Sequence, residues 1–209
     1  MTTVVEIYAD LWCPFAHVGL RAARTERERL GRRDVSFLVR PWPLELVNSR
    51  PLDPGVTARH VRELREQVAP DLFSDFDADR FPSTTLPALA LTLAAYERDA
   101  ATGEALNWAL RDALFESGLD ISDAGVLASI ARRFDLPPAS ARDTTGVRRE
   151  WLRGQARGVK GSPHFFCGEH EAFCPALDIS RDDAGDLELH ANAARLLGFL
   201  GECLGTDAA

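Results

Sequence analysis

Residues 8–19 read Tyr8-Ala9-Asp10-Leu11-Trp12-Cys13-Pro14-Phe15-Ala16-His17-Val18-Gly19, and they decide the fold. The apolar run over residues 3–8 predicts a short strand, and the pattern from Phe15 to Leu30 predicts a helix. Pro14 suits the first turn of that helix, because its missing N–H would have no intrahelical partner there. The stretch therefore places Cys13 between the end of a strand and the start of a helix.

Cys13 is the candidate nucleophile of the chain. Free N–H groups and the positive end of the helix dipole favour a thiolate at a helix N-terminus, so we expect the pKa of Cys13 to lie below that of a free cysteine. Most free cysteines are instead buried and behave as small apolar side chains. That is our interpretation of the other three: Cys167, Cys174 and Cys203.

Composition limits the classes of function. The 209 residues, 45% of them hydrophobic, suffice for one domain or for a small domain with a large insertion. Lys and Arg number 24 against 32 Asp and Glu, and the net charge of −8 argues against nucleic acid and anionic membranes as partners. With no signal-peptide pattern, no run of ~18 apolar residues and no C-x-x-C pair, we expect a cytoplasmic protein with no metal site.

The first half of the chain changes from strand to helix patterns. Residues 35–39 predict a second strand, which completes a βαβ unit with two parallel strands. Prolines then break regular structure over residues 41–56, and helical periodicity follows. Five helices are predicted in this block: one through residues 61–68 and others over 86–96, 105–116, 123–134 and 139–157.

A second motif lies in residues 158–166, Gly-Val-Lys-Gly-Ser-Pro-His-Phe-Phe. Pro163 stands directly before an aromatic strand and is a candidate for a cis peptide bond. The turn at residues 168–171 predicts an antiparallel hairpin. Residues 178–186 are interpreted as an acidic surface loop, because they lack the EF-hand spacing, and residues 189–204 as a closing helix.

The pattern as a whole predicts an α/β fold. Residues 1–56 and 158–209 build one domain around a central mixed sheet, and residues 57–157 form an inserted all-helical domain. This order, with Cys13-Pro14 early and Ser162-Pro163 late, resembles the DsbA-like branch of the thioredoxin superfamily. Three stretches carry the resemblance: residues 10–16, 115–123 and 158–165.

The resemblance implies a thioredoxin fold, βαβ followed by ββα, with the helical domain inserted between them. It also implies that Cys13 is the nucleophile and that a cis Pro163, with the backbone of Ser162, holds a substrate chain or a glutathione peptide. We take the neighbours of these positions as substrate-binding candidates: Trp12, Pro14, Phe15, Ala16, Ser162 and Pro163.

One position departs from the family pattern. A dithiol oxidoreductase needs a second thiol to release its substrate, and Ala16 stands at that place. A bridge from Cys174 or Cys203 to Cys13 would need Cα atoms within ~7 Å, which the sequence leaves open. Kappa-class glutathione transferases and 2-hydroxychromene-2-carboxylate isomerases are similar in layout and also lack the second cysteine, but they carry serine where this chain has Cys13.

Three functions remain open. The first is a monothiol oxidoreductase, in which an external thiol such as glutathione resolves a mixed disulfide at Cys13. The second is a thiol-dependent transferase or isomerase of a small aromatic compound, with basic residues holding carboxylates of the thiol: Arg153, Arg157 and Lys160. The third is a non-catalytic protein that binds a peptide or partner.

His17 lies four residues after Cys13, on the same face of the predicted helix, and is a candidate to stabilise its thiolate. We expect no tightly bound cofactor beyond a thiol co-substrate, and the sequence leaves a homodimer open.

Overall fold

The structure is a computed structural model that describes residues 3–204. Its central strands are β1 Thr3–Ala9, β2 Val35–Pro41, β3 His164–Cys167 and β4 His170–Phe173. They form one mixed sheet in the order β2-β1-β3-β4, in which β1 and β2 are parallel and the other pairs antiparallel. The predicted βαβ unit, hairpin and central mixed sheet are confirmed.

Eight α-helices and two 3₁₀ segments lie within residues 3–204. The helices are α1 Pro14–Arg29, α2 Leu44–Val47, α3 Pro54–Gln67, α4 Leu86–Arg98, α5 Ala100–Phe115, α6 Ala124–Arg133, α7 Thr145–Ala156 and α8 Ala193–Leu204. The side chains of Asp53, Asp99 and Asp123 accept hydrogen bonds from backbone N–H groups of the first turns of α3, α5 and α6, which fixes where these helices begin.

The C-terminal third differs from the prediction in two places. Strands β5 Leu177–Arg181 and β6 Leu187–Ala191 form a separate antiparallel pair, so the acidic stretch is a strand followed by a turn and not a loop throughout. Leu187 and Leu189 are buried at alternate positions, which is the period of a strand, and the closing helix starts at Ala193 rather than at residue 189.

The helix predicted over residues 139–157 is also shorter than expected. A 3₁₀ turn at Pro138–Ala141 precedes α7, and the Asp143 carboxylate accepts the N–H of Thr145. Helix α7 therefore begins at Thr145, six residues later than predicted. Residues 1–2 and 205–209, at the ends of the predicted domain division, lie outside the described residues, and the division itself stays a prediction.

The two faces of the sheet are covered by different helices. On one face, called the thiol face, Ile7 packs in one buried cluster with Leu20 of α1 and Phe199 of α8. On the other, called the far face, a Cβ atom at Gly154 of α7 would lie 2.9 Å from the Tyr8 ring. Only glycine therefore lets α7 lie this close to the sheet, and residues alternate along β1 between the two environments.

Candidate functional site

Cys13 occupies the predicted junction between β1 and α1. It is the N-cap residue of α1, with extended backbone, and Pro14 fills the first helical position. The Cys13 thiol donates a hydrogen bond to the carbonyl oxygen of Ser162 at 3.2 Å, and only 4% of the residue is exposed. The early and late motifs of the chain thus meet at this sulfur.

The late motif is held against the early one by its own contacts. The Ser162–Pro163 peptide bond is cis, as the sequence predicts. The Ser162 hydroxyl accepts the N–H of Asp10 at 2.9 Å, and a Cβ atom at Gly19 would lie 3.2 Å from the Pro163 ring. A glycine at this place in α1 lets the helix close on the proline.

A cavity of about 490 Å³ opens at Cys13. Pro14 and Phe15 line it on the side of α1, and the segment from Leu44 to Thr57, together with His60, forms the opposite wall. Arg50 and His60 are the basic side chains of this lining. The sequence did not predict this wall, because residues 41–56 read as a break between domains. The prolines in this segment were the available signal.

The six predicted substrate-binding residues take different places. Pro14 and Phe15 line the cavity, Ser162 contacts the thiol, and the other three are buried: Trp12, Ala16 and Pro163. The Trp12 ring stacks on Phe81 with centroids 5.6 Å apart and contributes to the core of the helical block. Binding of substrate by these residues stays a prediction.

His17 is fully buried and lies one turn after Cys13 in α1. Its Nε2 lies 2.7 Å from Oε1 of Glu116, at the end of α5. Burial lowers the pKa of His17 although the Glu116 carboxylate opposes this, so we assign a neutral ring that donates Nε2–H to the carboxylate. The structure therefore shows His17 joining α1 to α5, and its effect on the thiol stays a prediction.

Arg157 and Lys160 lie on the far face of the sheet. The Arg157 guanidinium pairs with Glu6 and stands 4.2 Å from the centroid of the Phe166 ring. The Lys160 ammonium is 2.8 Å from Glu171. Both basic groups have carboxylate partners of this chain, whereas the structure places Arg50 and His60 in the cavity at Cys13.

The expected pKa of Cys13 is wrong in direction. Burial of the sulfur raises the pKa of the Cys13 thiol, and the nearby Asp10 carboxylate adds to this. Hydrogen bonds with the Ser162 side chain and with the N–H of Ala16, together with the charge of Arg111, act in the opposite direction and lower the pKa. The sequence revealed the helix N-terminus, whereas the exposure of the sulfur depends on packing of distant segments.

Cys174 lies beside the same cis-proline. Its N–H donates to the carbonyl oxygen of Pro163 at 2.9 Å. Burial, and next the charge of Cys13, raise the pKa of Cys174 to about 12. All four cysteines are free thiols in the structure.

Two further findings on residues 3–204 concern metal ions and membrane-spanning helices. No group of three or more His, Cys, Asp or Glu side chains there could hold a metal ion. In the same range, no helix is both long enough and apolar enough to cross a membrane.

A mixed sheet with βαβ and ββα halves, a cysteine at the start of the first helix and a cis-proline against it define a thioredoxin-fold protein with a thiol site. The chain belongs to the family of the DSBA-like thioredoxin domain, whose sequence model matches residues 4–181. Comparison with curated proteins gives no match.

Solved structures share the fold at low sequence identity. A probable DsbA oxidoreductase from Streptomyces coelicolor has a TM-score of 0.70 at 19% identity, with 100% of this chain and 92% of that one covered. A 2-hydroxychromene-2-carboxylate isomerase has a TM-score of 0.62 at 14% identity, with 97% of this chain and 94% of that one covered. The cytosolic disulfide reductase DsbM from Pseudomonas aeruginosa has a TM-score of 0.61 at 15% identity, with 97% of this chain and 98% of that one covered.

Proposed function

We propose that this protein is a thiol–disulfide oxidoreductase that works through one cysteine and needs an external thiol to complete its cycle. The observation that carries the proposal is the position of Cys13 at the end of a 490 Å³ cavity, against a cis-proline, with Ala16 where a second thiol would stand. A single thiol in this setting can form a mixed disulfide but has no neighbour on its own helix turn to release it.

The cycle balances in two exchange steps. The Cys13 thiolate attacks a disulfide R–S–S–R′, forms the Cys13–S–S–R bond and expels R′S⁻, which takes up a proton. A second thiolate, R″S⁻, then attacks the R sulfur, forms R–S–S–R″ and returns Cys13 as the thiolate. The net reaction transfers the disulfide from R–S–S–R′ to R–S–S–R″, and the protein is neither oxidised nor reduced overall.

Glutathione or a thiol of its class is the resolving thiol we propose. The cytosolic disulfide reductase DsbM, which shares the fold, has also been solved with GSH. The cavity beside Cys13 carries Arg50, which is suited to a carboxylate of such a thiol. We propose the cytoplasm as the compartment, in line with the four free cysteines.

Mass spectrometry of the Cys13 peptide tests the proposal. After incubation with oxidised glutathione we expect a glutathione adduct on Cys13, its removal by reduced glutathione, and no adduct at this position in Cys13→Ser. Cys203→Ser is the matched control, because Cys203 is a partly exposed thiol away from the cavity, and it should keep the Cys13 adduct. Absence of any Cys13 adduct, while a free cysteine peptide reacts, contradicts the proposal.

Two other functions are favoured by particular observations. The likeness to an isomerase fold and the apolar wall at Phe15 favour a thiol-dependent transferase or isomerase; turnover retained by Cys13→Ser with a thiol co-substrate would select it. The 4% exposure of Cys13 and its raised pKa favour a non-catalytic binding protein. A Cys13 labelling midpoint at or above that of a free cysteine, together with no adduct, would select that one.

A further inference from the structure

A second cavity adjoins the one at Cys13. It has a volume of about 310 Å³ and lies beside the β5–β6 hairpin, where Ile179 and Arg181 line it. Phe15 and His60 line both cavities, and the centroids of their rings are 5.3 Å apart. The two cavities therefore share a wall, and a ligand at Cys13 that extends past this wall reaches the hairpin.

The hairpin is held in place by side chains of α3 and α8. Gln67 of α3 donates through Nε2 to the carbonyl oxygen of Leu187 at 2.9 Å, and its Oε1 accepts the N–H of Leu189 at 2.8 Å. Asp178 of β5 lies 2.7 Å from Arg195 of α8. These contacts fix both strands of the hairpin, so the second cavity is a defined part of the fold.

The two linings carry positive charge in an acidic chain. Arg50 lines the first cavity and Arg181 the second, and within residues 3–204 neither forms an ion pair. Arg181 donates through Nη1 to the carbonyl oxygen of Gly185 at 2.6 Å. Asp53, the acidic residue of the linings, caps α3 by accepting the N–H of Val56 at 2.8 Å. Because the whole chain has a net charge of −8, these two arginines mark the cavities as sites for acidic groups.

The region between the two arginines is apolar. Phe15 forms part of the shared wall, and Ile179 is 42% exposed at the second cavity. Burial lowers the pKa of His60; the charge of Glu63 opposes this and that of Arg181 adds to it, so the His60 ring is mainly neutral at pH 7. An uncharged wall between two cations suits a disulfide that carries a carboxylate on each half.

Disulfide exchange at Cys13 needs separate places for two thiols. The Cys13 sulfur, the R sulfur and the departing R′ sulfur lie in line, and R′S⁻ leaves with the electron pair of the broken bond and takes up a proton. In the second step R″S⁻ attacks along the same line and expels the Cys13 thiolate. It therefore enters where R′ left, while R stays attached to Cys13 between the two steps.

We propose that the cavity beside the β5–β6 hairpin is the subsite for the exchanged thiol, R′ or R″, and that Arg181 binds its carboxylate. The retained half R occupies the cavity at Cys13, on the side of Arg50. The inference rests on the proposed function and names its substrate class as a disulfide with a carboxylate on each half.

Exchange rates measured in both directions test the inference. Oxidised glutathione forms the Cys13 mixed disulfide and reduced glutathione removes it, and both reactions are followed by mass spectrometry of the Cys13 peptide. In Arg181→Met both rate constants should fall by the same factor, about five- to tenfold, because a charge-assisted hydrogen bond to the exchanged thiol is lost. Their ratio should stay unchanged, since the exchanged thiol is not part of the mixed disulfide.

A neutral probe and two further variants serve as controls. Bis(2-hydroxyethyl) disulfide has no carboxylate, and its reaction with Cys13 should change by no more than about twofold in Arg181→Met. Arg59→Met is the matched control, because Arg59 is an exposed arginine beside His60 that lines neither cavity; its glutathione rates should stay within about twofold of wild type. Ile179→Glu, at an exposed position of the second cavity, should slow both glutathione rates and spare the neutral probe.

Three results overturn the inference: unchanged glutathione rates in Arg181→Met, a slowing that the neutral disulfide shares, and an equal slowing in Arg59→Met. A changed ratio of the two rates in Arg181→Met would assign this residue to the retained half and overturn it as well. Absence of any Cys13 adduct in wild type rejects the proposed function together with the inference. An adduct whose rates do not depend on Arg181 rejects the inference alone.

Discussion

Two arginine sites, one on each face of the central sheet, differ in their partners. On the far face, Arg157 pairs with Glu6, and Arg40 bonds both Glu6 at 2.6 Å and Glu150 at 3.0 Å. On the thiol face, where Trp108 of α5 packs, Arg111 has one hydrogen bond and no carboxylate within bonding distance among the described residues.

Exposure separates the two clusters as well. The side chains of the far-face ion pairs, Glu6, Arg40, Glu150 and Arg157, are 13–32% exposed, so water and counter-charges stabilise them together. Asp10, His17 and Arg111 are each 0% exposed. An ion-pair network at a partly exposed surface stabilises the fold. A buried, incompletely paired cluster beside a nucleophile is typical of a functional site.

The largest expected effect comes from restoring a second thiol in Ala16→Cys. Positions three apart on a helix lie about 5–6 Å apart at Cβ, close enough for a disulfide after small adjustments. The new thiol should resolve the mixed disulfide internally and speed its loss on the order of 100-fold at low external thiol, because the reaction becomes intramolecular. Stopped-flow release of a labelled thiol measures this, and Ala16→Ser is the control that should leave release slow.

Asp10 gives the thiol-side cluster a pH-dependent stability. Its folded pKa of about 7 exceeds the ordinary value of 3.8, so the neutral carboxyl favours the fold. This stabilisation is complete below pH 3.8 and is lost as pH rises through 7, by up to about 1.4 kcal/mol per unit.

Asp10→Asn does not titrate and serves as the reference. Urea unfolding of both proteins between pH 4 and 8 should show wild type losing stability relative to the variant as pH rises. A constant difference across this range contradicts the burial argument for Asp10.

Glu6→Gln breaks the far-face network without touching the thiol side. Loss of the carboxylate leaves Arg157 without its ion pair and removes one of two from Arg40, which should cost about 1–2 kcal/mol of unfolding free energy. The Cys13 labelling midpoint should stay unchanged. A moved midpoint would show that the two faces are coupled and would weaken the comparison.

The smallest expected effect on stability comes from His164. The pH dependence that it gives to the unfolding free energy is opposite in sign to that of Asp10. It is buried on the far face, and its Nδ1 accepts the N–H of Lys160 at 3.2 Å. Burial lowers its pKa to about 4, despite the Glu171 carboxylate, from the ordinary 6.5. Its contribution is therefore present above pH 6.5 and decreases as pH falls towards 4.

His164→Asn keeps an acceptor for Lys160 and removes the titration. Relative to this variant, wild type should lose about 1 kcal/mol of unfolding free energy between pH 6.5 and 5.5. Equal pH dependence in both proteins would assign the acid sensitivity to another group.

Local signals accounted for most of the fold. The prolines at positions 14 and 163 and the apolar run over residues 3–8 depend on neighbours in sequence, and each marks its element correctly. Strands β5 and β6 were missed, because five-residue strands separated by an acidic turn carry little pattern of their own.

The site was only partly visible in the sequence. Its two motifs were found, but the burial of Cys13 depends on the segment 44–57, which comes from elsewhere in the chain. Arg111 was not singled out, although it stands in a helix whose residues Leu110 and Leu114 are buried as well. A charged residue within so apolar a helix was the available signal, and only tertiary packing shows that its guanidinium is buried.

The most direct test of the single-thiol mechanism is the rate at which the Cys13–glutathione mixed disulfide decays as reduced glutathione is varied. Quenched samples are followed by mass spectrometry of the Cys13 peptide in the wild-type protein. We expect a rate proportional to glutathione concentration that extrapolates to zero in its absence. Decay at a rate independent of glutathione, with an internal disulfide such as Cys13–Cys174 appearing in its place, would contradict the mechanism.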